Sequence, residues 1–123
     1  MAALTVRKII EIHDDLIKIY GGTIGILSEA TLDMLVYKAN QENNVFRKAS
    51  LILHRITSQH PFFDGNKRTA LVTAELVLYD EGYYIHEEPE EKVAFMQKIA
   101  QYKCSVKAIE KWLKERAREL HPG

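Results

Sequence analysis

Cysteine is nearly absent from this sequence: Cys104 stands alone among 123 residues. One thiol cannot close an intramolecular disulfide, and without a CxxC pair there is no thiolate set to hold zinc. The pattern fits a reducing compartment. Net charge is missing as well, with 17 Lys+Arg against 17 Asp+Glu. No global field therefore draws the chain to nucleic acid or to an anionic membrane, and neither is expected as a direct partner. Any phosphate site has to be a local arrangement of a few residues. No apolar run approaches the ~20 residues that cross a bilayer. The N-terminal MAALTVRKIIEIHDD breaks its apolar stretch with charge too early for a secretory signal. A soluble, cytoplasmic protein is the expectation. Repeats, low-complexity tracts and Pro/Gly-rich linkers are also lacking, so one domain over residues 1–123 is predicted.

The bulk composition, 46% hydrophobic and 28% charged, is that of an ordinary globular protein. Its apolar residues recur at helical spacing. Ile9, Ile10, His13, Leu16, Ile17 and Tyr20 form one face of a helix from Thr5 to Tyr20, stopped by Gly21-Gly22. Thr23 to Leu27 is too short for a helix and reads as a small extended flap. Ser28 is placed to cap a second helix, Glu29 to Gln41. Two further helices, Val45 to Ser58 and Lys67 to Glu81, are apolar on more than one side and belong in the middle of a bundle. After Gly82, Tyr83-Tyr84-Ile85 is briefly extended. Pro89 suits the first turn of a fifth helix ending near Tyr102. Ser105 caps a sixth, whose stripe is Ile109, Trp112, Leu113, Arg116 and Leu120. The fold class is all-α, with about six helices and a small flap or hairpin.

Between the two central helices lies HPFFDGNKRTA, residues 60–70, a crowding of polar chemistry that packing alone does not require. Asp64 or Asn66 can cap the fourth helix, whose first N–H groups lack intrahelical partners. Those N–H groups and the positive end of the helix dipole make an anion site. Gly65 lets the backbone turn tightly and a phosphate come close. Arg68 offers a planar fork of donors to phosphate oxygens. Lys67 either adds a point charge there or is a solvated lysine at the helix start. Asp64 is a hard oxygen ligand of the kind Mg²⁺ uses beside nucleotide phosphates. His60 is the residue type that accepts a hydroxyl proton at neutral pH. Phe62, with Pro61, pins the loop to the core. His13 reads as a hydrogen-bonded core histidine, and no histidine pair has metal-ligand spacing.

HPFFDGNKRTA resembles the Fic/Doc family motif, H-x-F-x-[D/E]-G-N followed by a basic stretch. The wider similarity is to the death-on-curing (Doc) branch: Ile12-His13-Asp14, the Tyr20-Gly21-Gly22 turn and Asn66-Lys67-Arg68-Thr69-Ala70-Leu71 all match it. The resemblance implies a Fic fold and transfer of a group from ATP, with Mg²⁺, to a protein hydroxyl. It implies His60 as the base, Asp64 as the metal ligand, Gly65 and Asn66 as the anion-binding turn and Arg68 as the phosphate clamp. Thr23, Ile24, Gly25, Ile26 and Leu27 fall where the family has a flap that docks the target segment. Members that transfer AMP typically carry Gly at the position of Lys67 and a second Arg at that of Leu71. The Doc branch shares both departures, and it phosphorylates a threonine of elongation factor Tu as the toxin of a toxin–antitoxin pair. No Ser or Thr here has Glu four residues on, so the family's inhibitory [S/T]-x-x-x-E-[G/N] helix is missing and a cognate antitoxin acting in trans is expected. The alternatives are an adenylyltransferase on the same fold and a non-catalytic module that binds the antitoxin and serves as corepressor.

Overall fold

The computed structural model describes residues 2–121. Six helices, α1 (Val6–Tyr20), α2 (Glu29–Asn40), α3 (Val45–Gln59), α4 (Asn66–Asp80), α5 (Pro89–Tyr102) and α6 (Val106–Arg116), are joined by two short strands, β1 (Tyr83–Ile85) and β2 (Ala117–Glu119). The all-α expectation holds, and the first five predicted helices are present within about two residues.

Most helix starts are written in their caps. The side chains of Thr5, Ser28, Asn44 and Ser105 each accept a hydrogen bond from a first-turn N–H of α1, α2, α3 and α6. Pro89 opens α5, where a missing N–H costs nothing. Gly21, at φ 85°, ends α1 and donates its N–H to Ile17.

Helix α3 is the axis of the molecule and packs against α2, α4, α5 and α6. Ala49, Ile52, Leu53 and Ile56 are fully covered there. The apolar character of α4 is less complete than its sequence suggests. Its buried face is Thr69, Ala70, Thr73, Ala74, Val77 and Leu78, whereas Val72 and Tyr79 are exposed. Small residues on the buried face let α4 lie close between α3 and α1, and leave its opposite side open.

The sixth helix ends earlier than its apolar stripe implies. The chain leaves it after Arg116, and Leu120 lies beyond the helix. Residues Ala117–Glu119 pair antiparallel with Tyr83–Ile85, and the Leu120 N–H donates to the Gly82 carbonyl at 2.8 Å. Arg116 is held at the junction: its guanidinium lies 4.5 Å from the Trp112 ring centroid, Nε donates to Glu87 at 3.2 Å, and Nη1 donates to the Trp112 carbonyl at 3.4 Å. Pairing two short strands distant in sequence satisfies backbone groups that each would leave bare. Among the described residues no helix is long and apolar enough to cross a membrane.

Candidate active site

The link from α3 to α4 is fixed by its own side chains. At its start His60 adopts a left-handed backbone (φ 49°, ψ 63°) that ends α3, with its N–H donating to Ile56. For a residue other than glycine this conformation is uncommon and costs of order 1 kcal/mol, so the surrounding structure must hold it. Pro61 and Phe62 are buried, and Phe62 stacks on His13 with ring centroids 3.8 Å apart. Asn66 then closes the loop on itself. Its amide nitrogen donates to the Phe62 carbonyl at 2.9 Å, and its Oδ1 accepts the Phe62 N–H at 3.0 Å.

That closure corrects one sequence expectation. Neither Asp64 nor Asn66 caps α4; the capping position is Gly65, in a left-handed conformation (φ 74°) with no side chain to offer. Asn66 is engaged with Phe62, and the Asp64 carboxylate turns the other way to accept the Thr23 N–H at 3.1 Å. The backbone N–H groups of Asn66, Lys67 and Arg68 consequently open from the helix end with no acceptor among the described residues. They form an uncapped positive terminus suited to an anion. A side chain at Gly65 would be strained by the positive φ, and its Cβ would stand 3.2 Å from Ile17 Cδ1, a tight contact that the Ile17 side chain would have to ease.

His60, Phe63, Asp64, Gly65, Asn66, Lys67 and Arg68 line one cleft of about 400 Å³, with Leu71 beside them. His60, Asp64, Lys67 and Arg68 are all exposed, and the His60 imidazole makes no hydrogen bond with the described residues. The Arg68 guanidinium lies 4.0 Å from the Tyr20 ring centroid, a cation–π contact that holds it at the end of α1. Tyr20, placed by its spacing on the inner face of α1, is in fact 59% exposed and serves as this platform.

The flap does not line the cleft; it is laced to its rim. Ile26 bridges Phe62, the Leu27 and Ser28 N–H groups donate to the Pro61 carbonyl at 2.7 and 3.0 Å, and the Phe63 N–H donates to Gly25. Ile24, Leu27 and Phe63 remain exposed around it. The opposite wall of the cleft is one the sequence did not reveal: Val93, Met96 and Gln97 of α5. They share one helix face, but nothing local links them to a loop so far back in the chain.

Among the described residues no three His, Cys, Asp or Glu side chains converge into a metal cage. One carboxylate beside an anion site nevertheless fits Mg²⁺, which fills most of its shell with water and nucleotide phosphate. Asp64 is exposed to the cleft, and among the described residues its carboxylate is engaged through Oδ2 alone, which accepts the Thr23 N–H.

A curated relative, a Fido domain-containing protein of Dictyostelium discoideum, is 39% identical over 62 residues, covering 46% of this chain and 43% of that protein. The chain thus spans less than half the length of that relative. The model of the Fic/DOC family matches residues 3–78, from the start of α1 to the end of α4, and so includes the whole loop described above. The chain belongs to the Fic/DOC family.

Proposed function

We propose that this protein is a Doc-type phosphotransferase, moving the γ-phosphate of ATP to a Ser or Thr hydroxyl of a protein. Exposed on the cleft, His60 takes the hydroxyl proton. The hydroxyl oxygen bonds the γ-phosphorus, the bond from that phosphorus to the β–γ bridging oxygen breaks, and ADP leaves. The free N–H groups of Asn66, Lys67 and Arg68 receive phosphate oxygens, and Arg68 moves from Tyr20 or reaches past it to clamp them. Asp64 would hold Mg²⁺, which supplies charge neutralisation at the phosphates when bound. The exposed apolar rim of the flap, Ile24, Leu27 and Phe63, is a docking edge for the acceptor segment. By resemblance to the Doc branch the acceptor is a translation factor and the restraint is an antitoxin in trans.

The observation that carries the choice of phosphate over adenylate is Leu71. It lines the cleft one helical turn beyond Arg68, where a second arginine would anchor the triphosphate with its α-phosphorus at His60. Apolar Leu71 gives no such anchor, while Lys67 puts positive charge at the helix start, where a terminal phosphate is most negative. Incubation of a cell extract with the protein and MgATP tests this. Label is expected in protein from γ-labelled ATP alone, with ADP formed. Label from the α position, with pyrophosphate released, makes the protein an adenylyltransferase.

A further inference from the structure

Among the buried polar side chains that the proposed chemistry leaves unused, His13 is the one packed against the 60–66 loop. His13, in the middle of α1, is 1% exposed and sits directly beneath the 60–66 loop. Its Nε2 lies 2.7 Å from the main-chain oxygen of Asp64, an atom that can only accept, so Nε2–H donates. Its Nδ1 faces Oδ1 of Asp14 at 3.1 Å, and its ring lies parallel to Phe62, with 6° between the planes. A Cβ on Gly65 would stand 3.7 Å from the same imidazole. Three successive features of the loop, the Phe62 ring, the Asp64 carbonyl and the close approach of Gly65, are therefore registered against one side chain.

We propose that His13 is a positioning residue for the cation site. By holding the Asp64 carbonyl toward α1, it turns the Asp64 carboxylate outward to the cleft and keeps the Gly65 turn, and with it the N–H groups of α4, aimed at the phosphates. The inference rests on Asp64 being the metal ligand. A buried core histidine satisfied elsewhere would stabilise α1 without touching the loop. This one spends its strongest donor on the main chain of the residue in question. Partners that orient a ligand in this way are typically worth about 10–100-fold in metal affinity.

The test uses the full chain, with Mg²⁺ and a non-hydrolysable ATP analogue titrated by calorimetry. His13→Phe keeps the stack on Phe62 and removes the donor, and is expected to raise the half-saturating Mg²⁺ concentration about 10–100-fold. His13→Gln, which returns an N–H near the place of Nε2, is expected to recover most of that loss. Ile9→Val, a loss of α1 packing one turn away, is expected to leave it unchanged. In the wild-type protein, nitrogen NMR is expected to show a proton on His13 Nε2 protected from exchange. This reading needs no variant to fold. An unprotonated Nε2, or a folded His13→Phe with wild-type Mg²⁺ affinity, overturns the proposal. Asp64→Ala in parallel separates the two claims. If its Mg²⁺ requirement is unchanged, the metal reading fails. If that requirement is lost while His13→Phe behaves as wild type, only the role of His13 fails.

Discussion

At the scale of single residues the cleft divides into groups that act and groups that hold. His60 is exposed and its side chain makes no hydrogen bond with the described residues, so its removal disturbs little packing. His60→Ala is expected to reduce transfer by about 10²–10⁴-fold, the usual worth of a positioned base, with the melting temperature and ATP affinity nearly unchanged. Steady-state rates beside a thermal melt read both. Arg68→Ala removes a donor that acts in the ground state and in the transition state, so nucleotide affinity and turnover are expected to fall together. Asp64→Ala is expected to abolish the Mg²⁺ dependence of nucleotide binding instead. ATP and Mg²⁺ affinities unchanged from the wild type in both variants would make the loop a structural element and favour a non-catalytic binding module.

That His60, Asp64, Gly65, Asn66, Lys67 and Arg68 share one cleft was legible because they stand at short spacing in the link between two helices. An imidazole, a carboxylate, a glycine turn and a guanidinium crowded there have few packing reasons to coincide. Tyr20 was misplaced, because helical spacing assigns it to the inner face while the end of α1 presents it to Arg68.

At the scale of elements the loop and the flap behave as one unit. Asn66 fastens both polar groups of the Phe62 backbone. Asn66→Ala leaves that buried N–H and C=O unpaired and is expected to destabilise the protein by about 1–3 kcal/mol per unsatisfied group. Phe62→Ala, at a side chain 1% exposed, is expected to cost about 3–5 kcal/mol. Chemical denaturation measures both. On the flap, a Cβ at Gly25 would fall 2.9 Å from the Phe63 ring at a backbone φ of 148°. Gly25→Val is therefore expected to spring the flap from the loop, lowering acceptor modification while nucleotide binding persists.

The caps of α2 and α6 were readable from Ser28 and Ser105 because a cap is a local bargain between a side chain and the next turn, and Thr5 and Asn44 prove to cap α1 and α3 in the same way. The start of α4 was not. Asn66 has the chemistry of a cap, but its amide meets both demands of the Phe62 backbone at once, and the helix is left without a side-chain cap where it opens on the cleft.

At the scale of the whole molecule, what the sequence hid was long-range. Ala117–Glu119 continues a helical pattern, and only the unpaired edge of Tyr83–Ile85, brought near by folding, draws it into a strand. The α5 wall of the cleft was hidden for the same reason. The bundle is also tied by charge. Glu110 of α6 meets Lys114 at 2.9 Å and Arg47 of α3 at 3.4 Å. The Lys114 hydrogen bond, reinforced by the charges of Lys114 and Arg47, outweighs burial and holds the Glu110 carboxyl below its ordinary range. A depressed carboxyl contributes stability that is present above the ordinary glutamate range and lost as pH falls through its lowered folded value. Glu110→Gln is expected to flatten that acid limb in denaturation curves taken from the ordinary glutamate range downward in pH, with little change in cleft chemistry.

The measurement that bears most directly on the whole account is mass spectrometry of a cell extract treated with MgATP and either the wild-type protein or His60→Ala. Phosphoserine or phosphothreonine sites that appear with the wild type and vanish with the variant are the predicted result. Adenylylated sites, or new phosphorylation undiminished by the loss of His60, would contradict it.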